Sequence, residues 1–128
     1  MLFLLPPATM EGKRVAPSHH PIMCATLAAS ARRNGASVAV LDAALAGLDP
    51  SSCADWVSAW EPEWVGIVPC EYRRELPLDT SLEFVRALRQ RGFSGEAGLL
   101  NSARGSLPPR QAVERGDVDF SAFGDSEP

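Results

Sequence analysis

The sequence has no stripe of positive charge, no long hydrophobic run and no paired-cysteine motif, and each absence removes a class of function. Twelve Lys and Arg face sixteen Asp and Glu, a net charge of -4. The densest basic runs are the dipeptides Arg32-Arg33 and Arg73-Arg74. Nucleic acid is not the expected partner, because phosphate binding needs a basic face. The strongest N-terminal apolar run, Leu2 to Leu5, stops at Pro6-Pro7. That is too short for a signal h-region or for the roughly 20 apolar residues of a membrane span. It reads instead as a buried strand, in a cytoplasmic protein with no membrane partner.

Cys24, Cys53 and Cys70 lie far apart and none forms Cys-x-x-Cys. Neither a zinc ribbon nor a dithiol redox site is expected, and the odd count reads as free thiols. The two histidines, His19 and His20, are adjacent. Adjacent side chains diverge and no third histidine completes a metal site, so they are assigned to a solvated helix entry. No Gly-x-Gly-x-x-Gly and no Gly-x-x-x-x-Gly-Lys-Ser/Thr occurs, which removes the standard dinucleotide and nucleoside-triphosphate loops. No base–nucleophile pair is apparent, so no catalytic residue is assigned.

What remains is an alternating pattern. The 128 residues, 45% of them hydrophobic and 22% charged, suit one domain with one core. Leu2–Leu5 is predicted as a strand buried on both faces. Pro21 and Gly35 bracket a helix whose apolar face carries Ile22, Met23, Leu27, Ala28 and Ala31. Further strands are predicted at Ser37–Leu41, Trp64–Val68, Ala97–Leu100 and Val118–Phe123. Ser52 is the expected cap of a short helix bearing Trp56 and Trp60. Thr80-Ser81-Leu82-Glu83 has capping-box spacing ahead of a helix carrying Leu82, Val85, Leu88 and Arg89 up to Gly92. Pro108-Pro109 opens a last helix ending near Gly116. Strict β-α alternation implies an α/β fold, a doubly wound five-stranded parallel sheet, flavodoxin-like or Rossmann-like, in the order 2-1-3-4-5.

Such sheets bind ligands beyond the carboxyl ends of their strands, where the strand order reverses. Here those ends supply Pro6 and Pro7 after the first strand, and Cys70, Glu71, Tyr72 and Arg73 after the third. They also supply Asn101, Ser102, Ala103 and Arg104 after the fourth, and Gly124 after the fifth. The loop from Pro69 to Asp79 is long, which is common in functional loops. The small polar loop after the fourth strand lets backbone amides approach a ligand closely. Cys70 suits either ligand contact or burial as a small hydrophobe. Arg73 and Arg74 suit either a ligand's phosphate or carboxamide edge, or Glu71 and Glu75. Trp56, Trp60 and Trp64 are expected to pack between the second helix and the sheet.

A family resemblance enters with an ordered set of short motifs. These are Leu4-Leu5-Pro6-Pro7, Pro21 through Leu27-Ala28-Ala29, Arg33-Asn34-Gly35 and Val38-Ala39-Val40-Leu41-Asp42-Ala43. Trp64-Val65-Gly66-Ile67, Leu107-Pro108-Pro109, Val118-Asp119-Phe120 and Gly124-Asp125-Ser126-Glu127 complete it. In this order they resemble the cobalamin-binding domain that precedes many radical-SAM enzymes. The resemblance implies cobalamin as cofactor, its corrin lying on the carboxyl edge of the sheet. It also implies a radical-SAM domain, methyltransferase-like or cyclase-like, as partner in cis or in trans. That domain's Cys-x-x-x-Cys-x-x-Cys is missing, so no iron–sulfur cluster of that kind is expected in this chain. The chain is therefore expected to be a fragment of a longer enzyme or a stand-alone relative. Asp-x-His-x-x-Gly, which supplies the lower axial histidine in the methionine-synthase and mutase type, is missing as well.

Two segments depart from the family pattern. Leu100 to Arg104 replaces its "G-G-P-H" loop, and Asp125-Ser126 replaces a Glu-Gly pair. The altered loop favours an alternative, a cobalamin-free α/β interaction module that docks on a catalytic partner. A small enzyme using Cys70 or Asp42 at the sheet edge is a third reading.

Overall fold

The computed structural model describes residues 1–5, 9–10, 13–14, 22–68, 70–71, 74–75, 78–100 and 113–122. Five strands form one parallel sheet: β1 (Leu2–Leu5), β4 (Ala39–Asp42), β5 (Trp64–Ile67), β8 (Glu96–Leu100) and β9 (Phe120–Ala122). Their spatial order is β4-β1-β5-β8-β9, the predicted 2-1-3-4-5 order. Two small antiparallel hairpins are additional. β2 (Thr9–Met10) pairs with β3 (Lys13–Arg14), and β6 (Cys70–Glu71) pairs with β7 (Arg74–Glu75). They come after β1 and β5, the two strands that flank the reversal of strand order. The helices are α1 (Ile22–Arg33), α2 (Pro50–Trp60) and α3 (Leu78–Gln90).

The two faces of the sheet follow from the period-2 alternation of its strands. Leu2, Leu4, Leu41, Val65, Ile67, Ala97 and Leu99 point toward the layer of α2 and α3, meeting Val57, Phe84, Val85 and Leu88 there. Phe3 and Val68 point the opposite way, onto Cys24 and Ala28 of α1. On that second face the Trp64 indole stacks on Phe120, with centroids 5.2 Å apart, and meets Phe3 edge-on at 5.4 Å. Gly66 and Gly98 stand opposite each other in the ladder. A Cβ on Gly98 would enter the Phe120 ring, and one on Gly66 would enter the Trp64 indole. The glycines let flat aromatic rings lie directly on the sheet.

Strand and helix limits shift for identifiable reasons. The second strand is Ala39–Asp42 rather than Ser37–Leu41, because pairing begins where Leu2 meets Ala39. The fifth is Phe120–Ala122, since its ladder opens at Gly98 and Phe120; Phe123 lies outside the described residues. The fourth begins one residue early, at Glu96. Helix stops are as predicted: Gly35, Gly92 and Gly116 all have positive φ, as αL helix termini require. Only residues 113–114 of the helix after Pro108-Pro109 are described as helical. Its start, like Pro21, lies outside the described residues.

Two caps differ from expectation. Asp49, not Ser52, caps α2: its Oδ1 accepts the Ser52 N–H at 2.7 Å, and Pro50 fills the first turn. Carboxylate and proline together outcompete serine for that position. The capping-box tetrad lies inside α3, which starts at Leu78, so Thr80 and Ser81 are buried within the helix. At the far end of α3, Arg89 donates to the carbonyls of Phe93 (3.2 Å) and Gly95 (2.6 Å) and to the Asp119 carboxylate. Asp119 also accepts the Ala97 N–H at 2.8 Å. This cluster ties the end of α3 to β8 and to the lead-in of β9.

The hydrogen bonds from Ser52 and Ser51 hold the Asp49 carboxyl below its ordinary range. A lowered folded-state pKa gives stability that is present above the unfolded value and lost as pH falls through the folded one. Asp49→Ala is expected to cost about 1 kcal/mol at neutral pH, in line with cap removal elsewhere. The difference between variant and parent should shrink below pH 4 in urea melts.

Candidate functional site

The carboxyl edge is built by the segments that leave β1 and β5. After β1 the chain passes through β2 and β3 before α1, and after β5 it passes through β6 and β7 before α3. The long Pro69–Asp79 loop therefore contains a hairpin, with Cys70 opposite Glu75 and Glu71 opposite Arg74. Of the eleven predicted binding residues, Cys70 and Glu71 are placed by the backbone of β6. Pro6, Pro7, Tyr72, Arg73, Asn101, Ser102, Ala103, Arg104 and Gly124 lie outside the described residues, as do His19 and His20.

A residue that sequence reasoning assigned to capping adds to this edge. Ser81 stands four residues before Val85 and seven before Leu88, on the α3 stripe that enters the core. Helices between parallel strands run back against them, so the first turn of α3 sits at the carboxyl edge. Ser81 is wholly buried there, and its Oγ, like that of Ser58 in the wall of a cleft at the amino edge, has no hydrogen-bond partner among the described residues. Buried hydroxyls are nearly always satisfied, and an exception is a pointer to an unseen partner. The Thr-Ser dipeptide inside a helix start was the available signal, and its capping-box spacing hid it.

Asp42 closes the turn after β4, its Oδ1 accepting the Leu45 N–H at 2.8 Å. That gives the carboxylate a local structural role. Cys53 is buried in α2, and loss of solvent, with Asp49's charge second, pushes its thiol up to about 12. Such a thiol is a small hydrophobe rather than a nucleophile. Cys24 is equally buried, on the side of α1 that packs against Phe3 and Val68.

The tryptophans separate. Trp56 and Trp60 are partly exposed at the margin of the buried stripe of α2, while Trp64 lies on the other side of the sheet, with Phe3 and Phe120. The expectation that all three pack between α2 and the sheet is corrected. Positions 53, 54 and 57 form the buried stripe of α2, and 56 and 60 lie along one margin of it, where a large side chain is only partly covered.

At the opposite, amino edge there is a shallow cleft of about 410 Å³, with Ser58, Glu61, Glu63, Arg91 and Phe93 in its wall. Here α2 and α3 end, so carbonyl dipoles and carboxylates face outward. It is the electrostatic opposite of a helix-start anion site.

Comparison with known proteins returned no matching family model, no similar curated protein and no similar solved structure. Among the described residues no helix is long and apolar enough to cross a membrane.

Proposed function

We propose that this chain is a cobalamin-binding module that holds a corrin at the carboxyl edge of its sheet, for a radical-SAM active site in a longer chain or a partner. The observation that carries the reading is the buried, unpartnered Ser81 hydroxyl in the first turn of α3. It is a polar atom lacking a partner among the described residues, at the edge where doubly wound sheets take their ligands. The order β4-β1-β5-β8-β9 supports the reading by setting the reversal between β1 and β5, beside that turn.

The groups expected to hold the corrin are Pro6 and Pro7, the Cys70–Arg73 segment, the Asn101–Arg104 segment and Gly124, with Ser81 beneath. Their task is to grip the macrocycle and exclude water. The bound cofactor supplies the reactivity of its cobalt–carbon bond. The cobalamin-free interaction module remains the second reading, favoured by the exposed Trp56 and Trp60 on α2.

The test is to mix the protein with hydroxocobalamin, remove free ligand by desalting and record the visible spectrum. Retained corrin absorbance near one equivalent is expected; none at micromolar protein contradicts the proposal. Tyr72→Ala and Asn101→Trp should each weaken retention about tenfold, or 1.4 kcal/mol, with unchanged circular dichroism. Ser81→Ala makes a sharper prediction. Removing an orphaned buried hydroxyl should stabilise the free protein by about 1 kcal/mol while weakening corrin retention. A variant that is both less stable and equally retentive would show that Ser81 has only a packing role.

A further inference from the structure

One flank of α2 exposes two tryptophans. Trp56 is 43% exposed and Trp60 is 42% exposed. Four residues apart, their indoles project from the same side of the helix. Isolated apolar residues on a surface are ordinary. Two adjacent tryptophans are not, because they are the residue type most concentrated at the energetic centres of protein interfaces.

The charged residues of their own segment have one sign. Between residues 49 and 64 the sequence has four carboxylates, at Asp49, Asp55, Glu61 and Glu63, and no Lys or Arg. Glu61 and Glu63 are exposed just beyond Trp60. Glu61 also occupies the left-handed C-cap of α2, at φ 52, a position where glycine is usual. The nearby cation, Arg91 of the turn after α3, is committed to Asp55 at 2.6 Å, to the Ser51 hydroxyl at 2.8 Å and to the Ala87 carbonyl at 2.8 Å.

From this complementarity we infer that the Trp56–Trp60 face of α2 docks a protein segment that presents lysine or arginine beside apolar residues. The apolar side chains cover the indoles, and the cations lie over the indole faces and against Glu61 and Glu63. Cation–π attraction and the acidic rim act in the same direction. A second copy of this chain is the poorer occupant, because like-charged rims repel. The surface lies on a helix face away from the carboxyl edge, and the inference does not rest on cobalamin.

The test uses two synthetic amphipathic helical peptides of equal length and apolar content, one with a lysine and arginine polar face and one with a glutamate face. Without cobalamin, titration of the basic peptide should blue-shift tryptophan emission and move the indole N–H resonances of Trp56 and Trp60 but not that of Trp64. Trp56→Ala/Trp60→Ala should weaken binding at least tenfold while melting like the parent. Glu61→Gln/Glu63→Gln should weaken it severalfold and flatten its salt dependence. Equal binding of the acidic peptide, or binding of neither, overturns the inference. So does a concentration-dependent dimer that the double tryptophan variant abolishes, since the occupant would then be a second copy.

Discussion

Phe84→Ala is expected to cost about 3–5 kcal/mol and to bring the domain close to unfolding at room temperature. Phe84 is wholly buried in α3, within the cluster that includes Leu2, Leu4, Val57, Ile67 and Leu99. Truncation removes the ring's transfer free energy and leaves a cavity between a helix layer and a parallel sheet. Neighbours on regular elements cannot collapse into that space without breaking their hydrogen bonds. Phe84→Leu keeps most of the volume and should lose roughly half as much or less. Urea denaturation followed by circular dichroism checks both. A loss under 1 kcal/mol for the alanine variant would contradict the assignment of α3 to the core.

A second large effect is expected on the other face. Gly98→Val should cost about 3 kcal/mol, at the upper end for overpacking. Its Cβ would enter the Phe120 ring, and Phe120 cannot retreat without leaving its stack on Trp64. The same geometry predicts a compensation. In the Phe120→Ala background the space above residue 98 is open, so the added valine should be tolerated or even favourable, given its strand propensity. A double-mutant cycle measures this directly, with a coupling of about 2 kcal/mol expected. Additive losses would mean that Phe120 does not lie over Gly98.

These two positions show why some of the fold was legible in sequence and some was not. The parallel strands were readable because Leu2–Leu5 and Trp64–Val68 are short apolar runs closed by prolines, the latter ending its pairing at Ile67, and the helix stops because glycine alone adopts their φ cheaply. The 2-1-3-4-5 order came from alternation and right-handed crossovers. By contrast, a glycine inside a strand, such as Gly98, reads locally only as a loss of strand propensity. Its purpose depends on a ring contributed by Phe120, 22 residues later, and no local pattern carries such a contact. Phe84 was absent from the expected stripe of Leu82, Val85, Leu88 and Arg89, although it lies four residues before Leu88. α3 buries a wider arc than a single narrow stripe because it contacts both α2 and the sheet.

The caps failed in an instructive way. Ser52 and the Thr80–Glu83 tetrad both have the right chemistry, yet each helix starts two residues earlier, at Pro50 and at Leu78. In α2 a better acceptor, Asp49, stood upstream. In α3 the displacement buries Ser81, and that residue became the strongest pointer to the carboxyl edge. The tryptophans divided for a simpler reason. Residues 56 and 60 lie along one margin of the stripe formed by 53 and 57, so their indoles stay partly exposed, whereas residue 64 belongs to a strand.

The central claim is that ligand binds at the carboxyl edge, between β1 and β5, and that the ligand is a corrin. Hydrogen–deuterium exchange measured with and without saturating hydroxocobalamin tests it most directly. Protection is predicted at the backbone amides of residues 70–75 and 78–81, the hairpin after β5 and the first turn of α3. Amides around 61–63 and 91–95, at the amino-edge cleft, should exchange at unchanged rates. Protection confined to that cleft, or no protection anywhere, would contradict the account.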